Sequence, residues 1–327
     1  MQGRAAVGEF ELIARHFARP LRPSSRGVAL GVGDDCALVA PAEGMQLAVT
    51  TDMLVEGRHF LSTVPPARLG HKALAVNLSD LAACGAEPLA FTLALALPRA
   101  DEAFLAPFAE GLFALAEAHG VELIGGDTTA GPLTICITAF GQLPRGQALL
   151  RSGARAGDDL WVSGQLGDAR LALEAFRGHI TLAGAEFDSV RVAMECPQPR
   201  VALGRALRGL ASSAIDLSDG LVGDLGHVLA ASNVGAVIDA DALPRSAVLA
   251  RQAEAVQRQC VLAGGDDYEL LFTAPAGRRE AVQAAARHAG VPVTRCGHID
   301  AAAGLQVTDS GGRPVEMSWR GFDHFAS

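Results

Sequence analysis

Residues 213–227 read SAIDLSDGLVGDLGH, a short apolar run that continues directly into a segment with helical periodicity. The pattern predicts a strand that ends at Asp216 and an amphipathic helix after it. Asp216 and Asp219 lie at the joint, with Ser218 between them. Because a charged group that leaves water must be paired or bound to a metal, this stretch predicts a binding site. Asp224, one turn further on, is expected on the surface of the helix.

Strands and helices alternate along the chain on both sides of this stretch. Strands are predicted at 27–32, 46–51, 88–97, 121–124, 133–141, 160–164, 213–216, 235–240, 269–274 and 305–308. Helices are predicted at 66–84, 101–119, 167–177, 199–211, 220–231, 245–258 and 278–289. The segment 141–158, rich in Pro, Gly and Arg, is the best boundary candidate, and we set the domains at 1–144 and 145–327. The predicted fold class is α/β, or α+β, in two domains.

The composition favours a soluble, cytoplasmic protein. The longest apolar run, 89–97, is shorter than the roughly 20 residues that span a bilayer, and the N-terminus lacks a signal-peptide pattern. The net charge of −9, from 27 basic and 36 acidic residues, disfavours nucleic acid or an anionic membrane as the main partner. The six cysteines form no CxxC pair, which favours reduced thiols over zinc or disulfides.

Several aspartates share one position relative to the predicted strands. They lie at or just after strand ends: Asp35, Asp52, Asp127, Asp216 and Asp219. Asp80 lies on the helix predicted at 66–84, three residues after Asn77 on the same face. Each acid alone is explained by a helix cap or a turn, but together in one cleft they would repel one another without cations. A ligand set of oxygens alone favours Mg²⁺, Mn²⁺ or Ca²⁺ over zinc.

Glycine and hydroxyl residues beside these acids favour a phosphate ligand. The Gly-Asp pairs in GVGDD and GGDTT let backbone N–H groups approach an anion, and Ser218 and neighbouring threonines are suited to phosphate oxygens. The sequence contains no Walker A loop, no protein-kinase motif and no GxGxxG segment after a strand. Because Lys72 is the only lysine, nucleotide phosphates would be bound mainly by metals and arginine.

Seven ordered motifs give the chain its resemblance to a known family. They are GVGDDCAL, TTDMLVEGRHF, KALAVNLSDLAACGAEP, LIGGDTT, LLRSGARAGD, AIDLSDGLVGDLGH and GGDDYEL. Over nearly its whole length the chain resembles the thiamine-monophosphate kinases, whose superfamily includes aminoimidazole ribonucleotide synthetase and selenophosphate synthetase. The resemblance implies transfer of the γ-phosphoryl group of ATP to thiamine phosphate. It also implies an N-terminal α/β half, whose mixed sheet pairs with its copy in a homodimer, and a C-terminal α+β half that completes the active site.

The resemblance assigns roles to individual residues. The implied ligands of several Mg²⁺ ions are Asp35, Asp52, Asp80, Asp127, Asp216 and Asp219, with support from Thr50 or Thr51. The implied ATP contacts are Gly126, Asp127, Arg151 and Ser218. The implied thiamine phosphate contacts are His59, Asp266 and Phe322. Such a site would take ligands from both halves of the chain.

Two positions depart from the family pattern. The family has Glu where this chain has Asp266, one methylene shorter, so its contact with the substrate is expected to lengthen or to pass through water. Phe322 stands where some members carry Tyr, which keeps the aromatic face and loses the hydroxyl.

The implied reaction needs no general base, because the acceptor is a phosphate monoester that is largely a dianion at about pH 7. Metal cations and Arg151 would offset the repulsion between two polyanions. Two alternatives stay open: a sister ATP-dependent enzyme with another acceptor, and a non-catalytic Mg²⁺–nucleotide sensor. The first 30 residues contain no Cys, which disfavours selenophosphate chemistry.

Overall fold

The computed structural model describes residues 9–22, 27–33 and 35–316. The chain divides into two compact units, Met1–Leu81 with Glu87–Arg145, and Ala82–Ala86 with Gly146–Ser327. The domain limits set from the sequence, 1–144 and 145–327, stay a prediction. None of the helices in the described part of the chain is long and apolar enough to cross a membrane.

The first unit alternates strands with helices. Its strands are β1 (Val28–Leu30), β2 (Leu38–Val39), β3 (Met45–Val55), β4 (Glu87–Leu97), β5 (Glu122–Ala130) and β6 (Thr134–Pro144). Its helices are α1 (Glu9–His16), α2 (Pro66–Ala83) and α3 (Glu102–His119). Asp101 caps α3 by accepting a hydrogen bond from the backbone N–H of Ala103 at 3.1 Å, and Gly120 ends the helix in the left-handed conformation.

A mixed four-stranded sheet in the order β3-β6-β4-β5 forms the centre of this unit. β6 is antiparallel to both β3 and β4, whereas β4 and β5 are parallel. Alternate side chains, such as Leu95 and Ile137, are buried on one face of the sheet. On the other face, Val49 and Met53 of the edge strand β3 are each 55% exposed. The sheet therefore has one buried face and one face with exposed apolar side chains.

The second unit mixes strands and helices in a less regular order. Its strands are β7 (Asp158–Ser163), β8 (Ser213–Asp216), β9 (Gly235–Asp239), β10 (Leu270–Pro275), β11 (Val293–Asp300) and β12 (Gly304–Thr308). Its helices are α4 (Asp168–Phe176), α5 (Gly184–Glu195), α6 (Val201–Ala206), α7 (Leu221–Ser232), α8 (Glu254–Ala263) and α9 (Arg279–Ala289).

Its six-stranded sheet has the order β12-β9-β11-β7-β10-β8. Neighbouring strands are antiparallel except β12 and β9. Every residue of β7 is buried, as expected for a central strand, and Trp161 stacks on Phe272 of β10 with ring centroids 6.3 Å apart. Leu270 at one end of β10 pairs with Asp216 of β8, and Pro275 at the other end pairs with Asp158 of β7. The two aspartates therefore lie beside opposite ends of β10.

The predicted α/β, or α+β, fold class with a mixed N-terminal sheet is confirmed. Two strand ends beside candidate site residues were predicted wrongly. β3 continues to Val55 and β5 to Ala130, so Asp52 and Asp127 lie inside strands. The cause is pairing with the neighbouring strand, since β3 is hydrogen-bonded to β6 along its whole length.

The sequence pattern also missed α1 and β2 of the first unit, and further differences lie in the second unit. The sequence pattern missed α5 and β11. Polar and charged residues interrupt the apolar periodicity of both elements. The helix predicted at 245–258 is instead α8, preceded by a short 3₁₀ turn at Leu249–Arg251. The helix predicted at 199–211 already ends at Ala206.

Candidate functional site

One acidic group lies between β3 and α2. Thr50 and Asp52 are two residues apart on β3, so their side chains project from the same face. The Thr50 hydroxyl donates a hydrogen bond to Asp80 Oδ2 on α2, and the Asp52 backbone N–H donates to Asn77 Oδ1 at 3.2 Å. The structure thus brings together Thr50, Asp52 and Asp80, which we call the β3–α2 group.

The Asp52 carboxyl is costly to ionise in this position. Burial, together with the charge of Asp80, raises the pKa of Asp52 to about 7. A hard cation would favour the ionised form of both carboxylates, and its preferred ligands are the oxygens present here. Among the described residues, no three His, Cys, Asp or Glu side chains form a metal-binding group. A cation bound here would need further oxygens from water or phosphate, which is usual for Mg²⁺.

Thr51 lies on the opposite face of β3 from these acids. Its Oγ1 is 2.8 Å from Thr138 Oγ1 on β6, and successive side chains of a strand point to opposite faces. The hydroxyl beside Asp80 is therefore that of Thr50.

A second acidic group lines a cavity of about 290 Å³ at the β5 edge of the sheet. Asp35, Gly126 and Asp127 line this cavity together with apolar side chains such as Phe17. Gly126 has a φ of +146°, and a Cβ at this position would lie 1.8 Å from the Leu93 carbonyl oxygen, so only glycine fits here. We call Asp35, Gly126 and Asp127 the β5 group.

The β3–α2 group and the β5 group lie apart within the first unit. β3 and β5 are the two edge strands, three strand spacings or roughly 14 Å from each other. Asp127 shares a cross-strand row with Ala94, Cys136 and Met53, so it projects from the face opposite to that of Asp52. Within this unit the structure does not bring Asp52 and Asp127 to one position.

His59 lies in the loop that follows β3. The Val55 backbone N–H donates to His59 Nδ1 at 2.9 Å, so the neutral ring carries its proton on Nε2 and can donate from that atom. The Lys72 ammonium, which is buried on α2, donates to the His59 carbonyl oxygen at 3.3 Å. The only lysine of the chain therefore helps to hold this loop.

In the second unit, the loop after β8 pairs with the GGDDYEL motif. Asp216 is the buried last residue of β8, and Ser218 and Asp219 are half-buried in the loop that follows. The Asp266 backbone N–H donates to the Ser218 carbonyl oxygen at 2.9 Å, and the Tyr268 backbone N–H donates to the Leu217 carbonyl oxygen at 2.8 Å. The structure thus brings Ser218, Asp219 and Asp266 onto two adjacent loops.

The GGDDYEL loop has an unusual backbone. Asp266 and Tyr268 have φ values of +67° and +49°, a region that few residues other than glycine adopt. The Tyr268 hydroxyl donates to Asp266 Oδ1 at 3.1 Å. Such conformations persist where surrounding structure holds them and are frequent at binding sites. The substrate role implied for Asp266 stays a prediction.

The expectation that Asp224 lies on the helix surface is wrong. Its carboxylate is buried and accepts a hydrogen bond from the Asp219 backbone N–H at 3.1 Å. Burial, as the largest effect, raises the pKa of Asp224 to about 7, although the hydrogen bond from the Asp219 backbone N–H acts in the opposite direction. A position on the helix surface was expected because the residue is charged. The sequence does contain one signal for burial: Gly220, at the start of the helix, has no side chain that could accept a backbone hydrogen bond.

The structure does not place two residues with implied roles, Arg151 for ATP and Phe322 for thiamine phosphate, in either acidic group. Arg151 is exposed in the second unit, and its carbonyl oxygen accepts a hydrogen bond from the Ser232 hydroxyl at 3.3 Å. Phe322 lies outside the described residues, as does Asp34 of the GVGDD motif.

Comparisons with known proteins cover both halves of the chain. Residues 33–143 match the family described as AIR synthase related protein, N-terminal domain, and residues 155–310 match AIR synthase related protein, C-terminal domain. The chain is 48% identical to thiamine-monophosphate kinase of Escherichia coli (strain K12) over 324 residues, which are 98% of this chain and 99% of the relative.

Solved structures give the same result. The crystal structure of thiamine-monophosphate kinase from Stenotrophomonas maltophilia K279a is similar with a TM-score of 0.83 and 47% identity, covering 89% of this chain and 93% of that one. The structure of AaThiL complexed with AMPPCP and TMP is similar with a TM-score of 0.76 and 30% identity, covering 88% of this chain and 89% of that one.

Proposed function

Because the chain belongs to the thiamine-monophosphate kinase family, we propose that it transfers the γ-phosphoryl group of ATP to thiamine phosphate, giving thiamine diphosphate and ADP. The family and the kinase class predicted from the seven motifs are confirmed. The observation that carries the proposed reaction is the 48% identity over the full length of a thiamine-monophosphate kinase. The relative complexed with AMPPCP and TMP supports ATP as the co-substrate.

We propose that the reaction depends on Mg²⁺. The proposed ligands are Asp35, Thr50, Asp52, Asp80, Asp127, Asp216 and Asp219, with Thr51 as the weaker candidate of the two threonines. The donor chemistry supports this assignment, because these groups offer only carboxylate and hydroxyl oxygens. When bound, Mg²⁺ would neutralise phosphate oxygens and align the two phosphorylated substrates.

The residues of this chain then act by binding and orienting. The β3–α2 group and the β5 group offer carboxylates in pairs, which leaves cation positions open to phosphate oxygens. Because the acceptor phosphate is already largely a dianion at about pH 7, no side chain has to remove a proton from it. Catalysis by this chain is therefore a matter of position and charge.

Contacts to the two substrates are proposals at the level of single residues. Gly126 lets the β5 backbone and the neighbouring Asp127 line the cavity closely, and we assign them to ATP together with Ser218 and Arg151. His59 offers an Nε2–H donor. We assign His59 to the binding of thiamine phosphate, together with Asp266 and Phe322.

A homodimer formed through the exposed face of the first sheet is also proposed. Val49 and Met53 expose apolar side chains on that face of the edge strand, and exposed apolar patches are typical of association surfaces. Light scattering should give a dimer for the wild type and a monomer for Val49→Arg; a wild-type monomer would refute the assignment. The cytoplasmic location expected from the sequence stays a prediction.

The central experiment measures ADP release with ATP and Mg²⁺, in the presence and absence of thiamine phosphate. Stimulation by thiamine phosphate, with thiamine diphosphate as the product, is the expected result. Stimulation only by another acceptor would indicate a sister enzyme, and ATP binding without turnover would indicate a nucleotide sensor. Omission of Mg²⁺ in the presence of a chelator should abolish the signal.

A further inference from the structure

Asp224 lies in the first turn of α7, yet its side chain is only 3% exposed. An acid in a first turn normally reaches solvent and interacts with the helix dipole. Here the carboxylate turns back toward the loop before the helix. It accepts a hydrogen bond from the backbone N–H of Asp219 at 3.1 Å.

The Asp224 carboxylate therefore satisfies a backbone donor in the loop that leads into its own helix. The cap position of this helix is Gly220, which has no side chain to act as an acceptor. Gly220 has a φ of +106°, and a Cβ at this position would lie 2.9 Å from the backbone of Ala263. Because this close approach requires glycine, no capping side chain can stand at residue 220, and Asp224 supplies an acceptor to the loop from inside the helix.

The same loop is held on its other side by the GGDDYEL segment. The Asp266 N–H donates to the Ser218 carbonyl oxygen at 2.9 Å. The carbonyl of Ser218 is thus fixed by Asp266, whereas the N–H of Asp219 is fixed by Asp224. Burying the Asp224 carboxylate next to the like charge of Asp219 is unfavourable. A costly buried group that holds a loop in one conformation indicates that this conformation has a function.

We propose that Asp224 is a positioning residue for nucleotide binding: it holds the backbone of residues 218–220 in the conformation in which Ser218 contacts ATP and Asp219 binds Mg²⁺. This inference rests on the proposed function. It predicts that Asp224 acts through its acceptor oxygens, with no direct contact to the metal.

The test compares Asp224→Ala, Asp224→Asn and Asp158→Ala with the wild type. Asp158 is a matched control, because it is 4% exposed and its Oδ2 accepts a backbone N–H bond from Arg155 at 3.0 Å. It lies at the far end of β10 from Asp216. Affinity is measured by calorimetric titration with β,γ-methylene ATP and Mg²⁺, and fold integrity by thermal melting.

Loss of the acceptor for the Asp219 N–H in Asp224→Ala should weaken nucleotide binding by about 10-fold or more, which corresponds to one buried hydrogen bond. Asp224→Asn keeps an acceptor oxygen and should bind within about 3-fold of the wild type. Asp158→Ala should lower the melting temperature without changing affinity. If Asp224→Ala does not fold, Asp224→Ser takes its place in the same comparison.

Three outcomes would overturn the proposal. Wild-type affinity in Asp224→Ala would show a purely structural role. Equal loss in Asp224→Asn and Asp224→Ala would show that the charge itself acts, and equal loss in Asp158→Ala would show a general effect of destabilisation. Because binding is measured without thiamine phosphate, failure of this inference is distinguishable from failure of the proposed reaction, which only the ADP-release assay with the acceptor tests.

Discussion

The ion pair between Arg200 and Glu269 offers a quantitative test of how the second unit is held together. Arg200 Nε donates to Glu269 Oε2 at 2.7 Å and its Nη2 donates to Oε1, while the Ser163 hydroxyl donates to Oε2 at 2.5 Å. The Glu269 side chain is 6% exposed and that of Arg200 22% exposed. Because the glutamate is the more deeply buried partner, removal of the arginine should destabilise the protein more than removal of the glutamate charge.

The expected magnitudes follow from which charge each substitution leaves behind. Arg200→Met leaves the Glu269 carboxylate buried with only the Ser163 hydroxyl, which should lower the free energy of unfolding by about 3–5 kcal/mol. Glu269→Gln leaves a guanidinium that reaches water, so the expected loss is about 2–3 kcal/mol. The double variant should be less destabilised than the sum of the two, because the second substitution removes the stranded charge.

Urea unfolding followed by the fluorescence of Trp161, in a Trp319→Phe background, reports on the sheet of the second unit. Arg251→Met is the control, because its pair with Glu186 is largely exposed and should contribute at most about 1 kcal/mol. The reasoning is refuted if Glu269→Gln costs more than Arg200→Met, or if the two losses add.

Three further predictions concern the site and its supporting loops. Asp216→Asn or Asp219→Asn should lower kcat by about 100-fold or more with the circular dichroism spectrum unchanged, since carboxylate charge is needed to hold the cation; near-normal turnover at saturating Mg²⁺ would show that both acids are only caps. Asp266→Glu should leave the KM for thiamine phosphate unchanged or lower, with a small fall in melting temperature because the left-handed region tolerates Asp better; a rise in KM of more than about 10-fold would mean that the loop requires Asp. Lys72 should resist an amine-reactive reagent in the native protein and react after unfolding, as followed by peptide mass spectrometry, because it is buried on α2; rapid native labelling would contradict the observed burial.

Local signals were sufficient for the elements with strong periodicity and clear ends. The α2 and α3 helices begin and end within about one residue of the predicted limits. Asp101 and Gly120 provide the cap and the stop of α3, and both are visible in the sequence. The joint at Asp216 was also predicted at the correct residue, because an apolar run and a helical period meet there.

Contacts with distant residues determine what the sequence pattern could not show. The polar residues of β3 and β5 resemble strand ends locally, but pairing with β6 and β4 extends both strands past Asp52 and Asp127. Asp224 has the sequence character of a surface acid, and its burial is explained by the backbone N–H of Asp219 in the preceding loop. The seven motifs identified the family, whereas the distances between their acids depend on strand order.

Strand β3 shows why this order matters for function. Its pairing with β6 runs from Met45 to Val55 with no irregularity in register. Since side chains alternate with a period of two, one register places Asp52 beside α2 and Met53 on the exposed face. A slip of one residue would exchange the two, moving the carboxylate to the exposed face and an apolar side chain beside Asp80. The continuous ladder beyond Asp52, which the sequence pattern did not predict, therefore specifies the acidic group and the exposed apolar face at the same time.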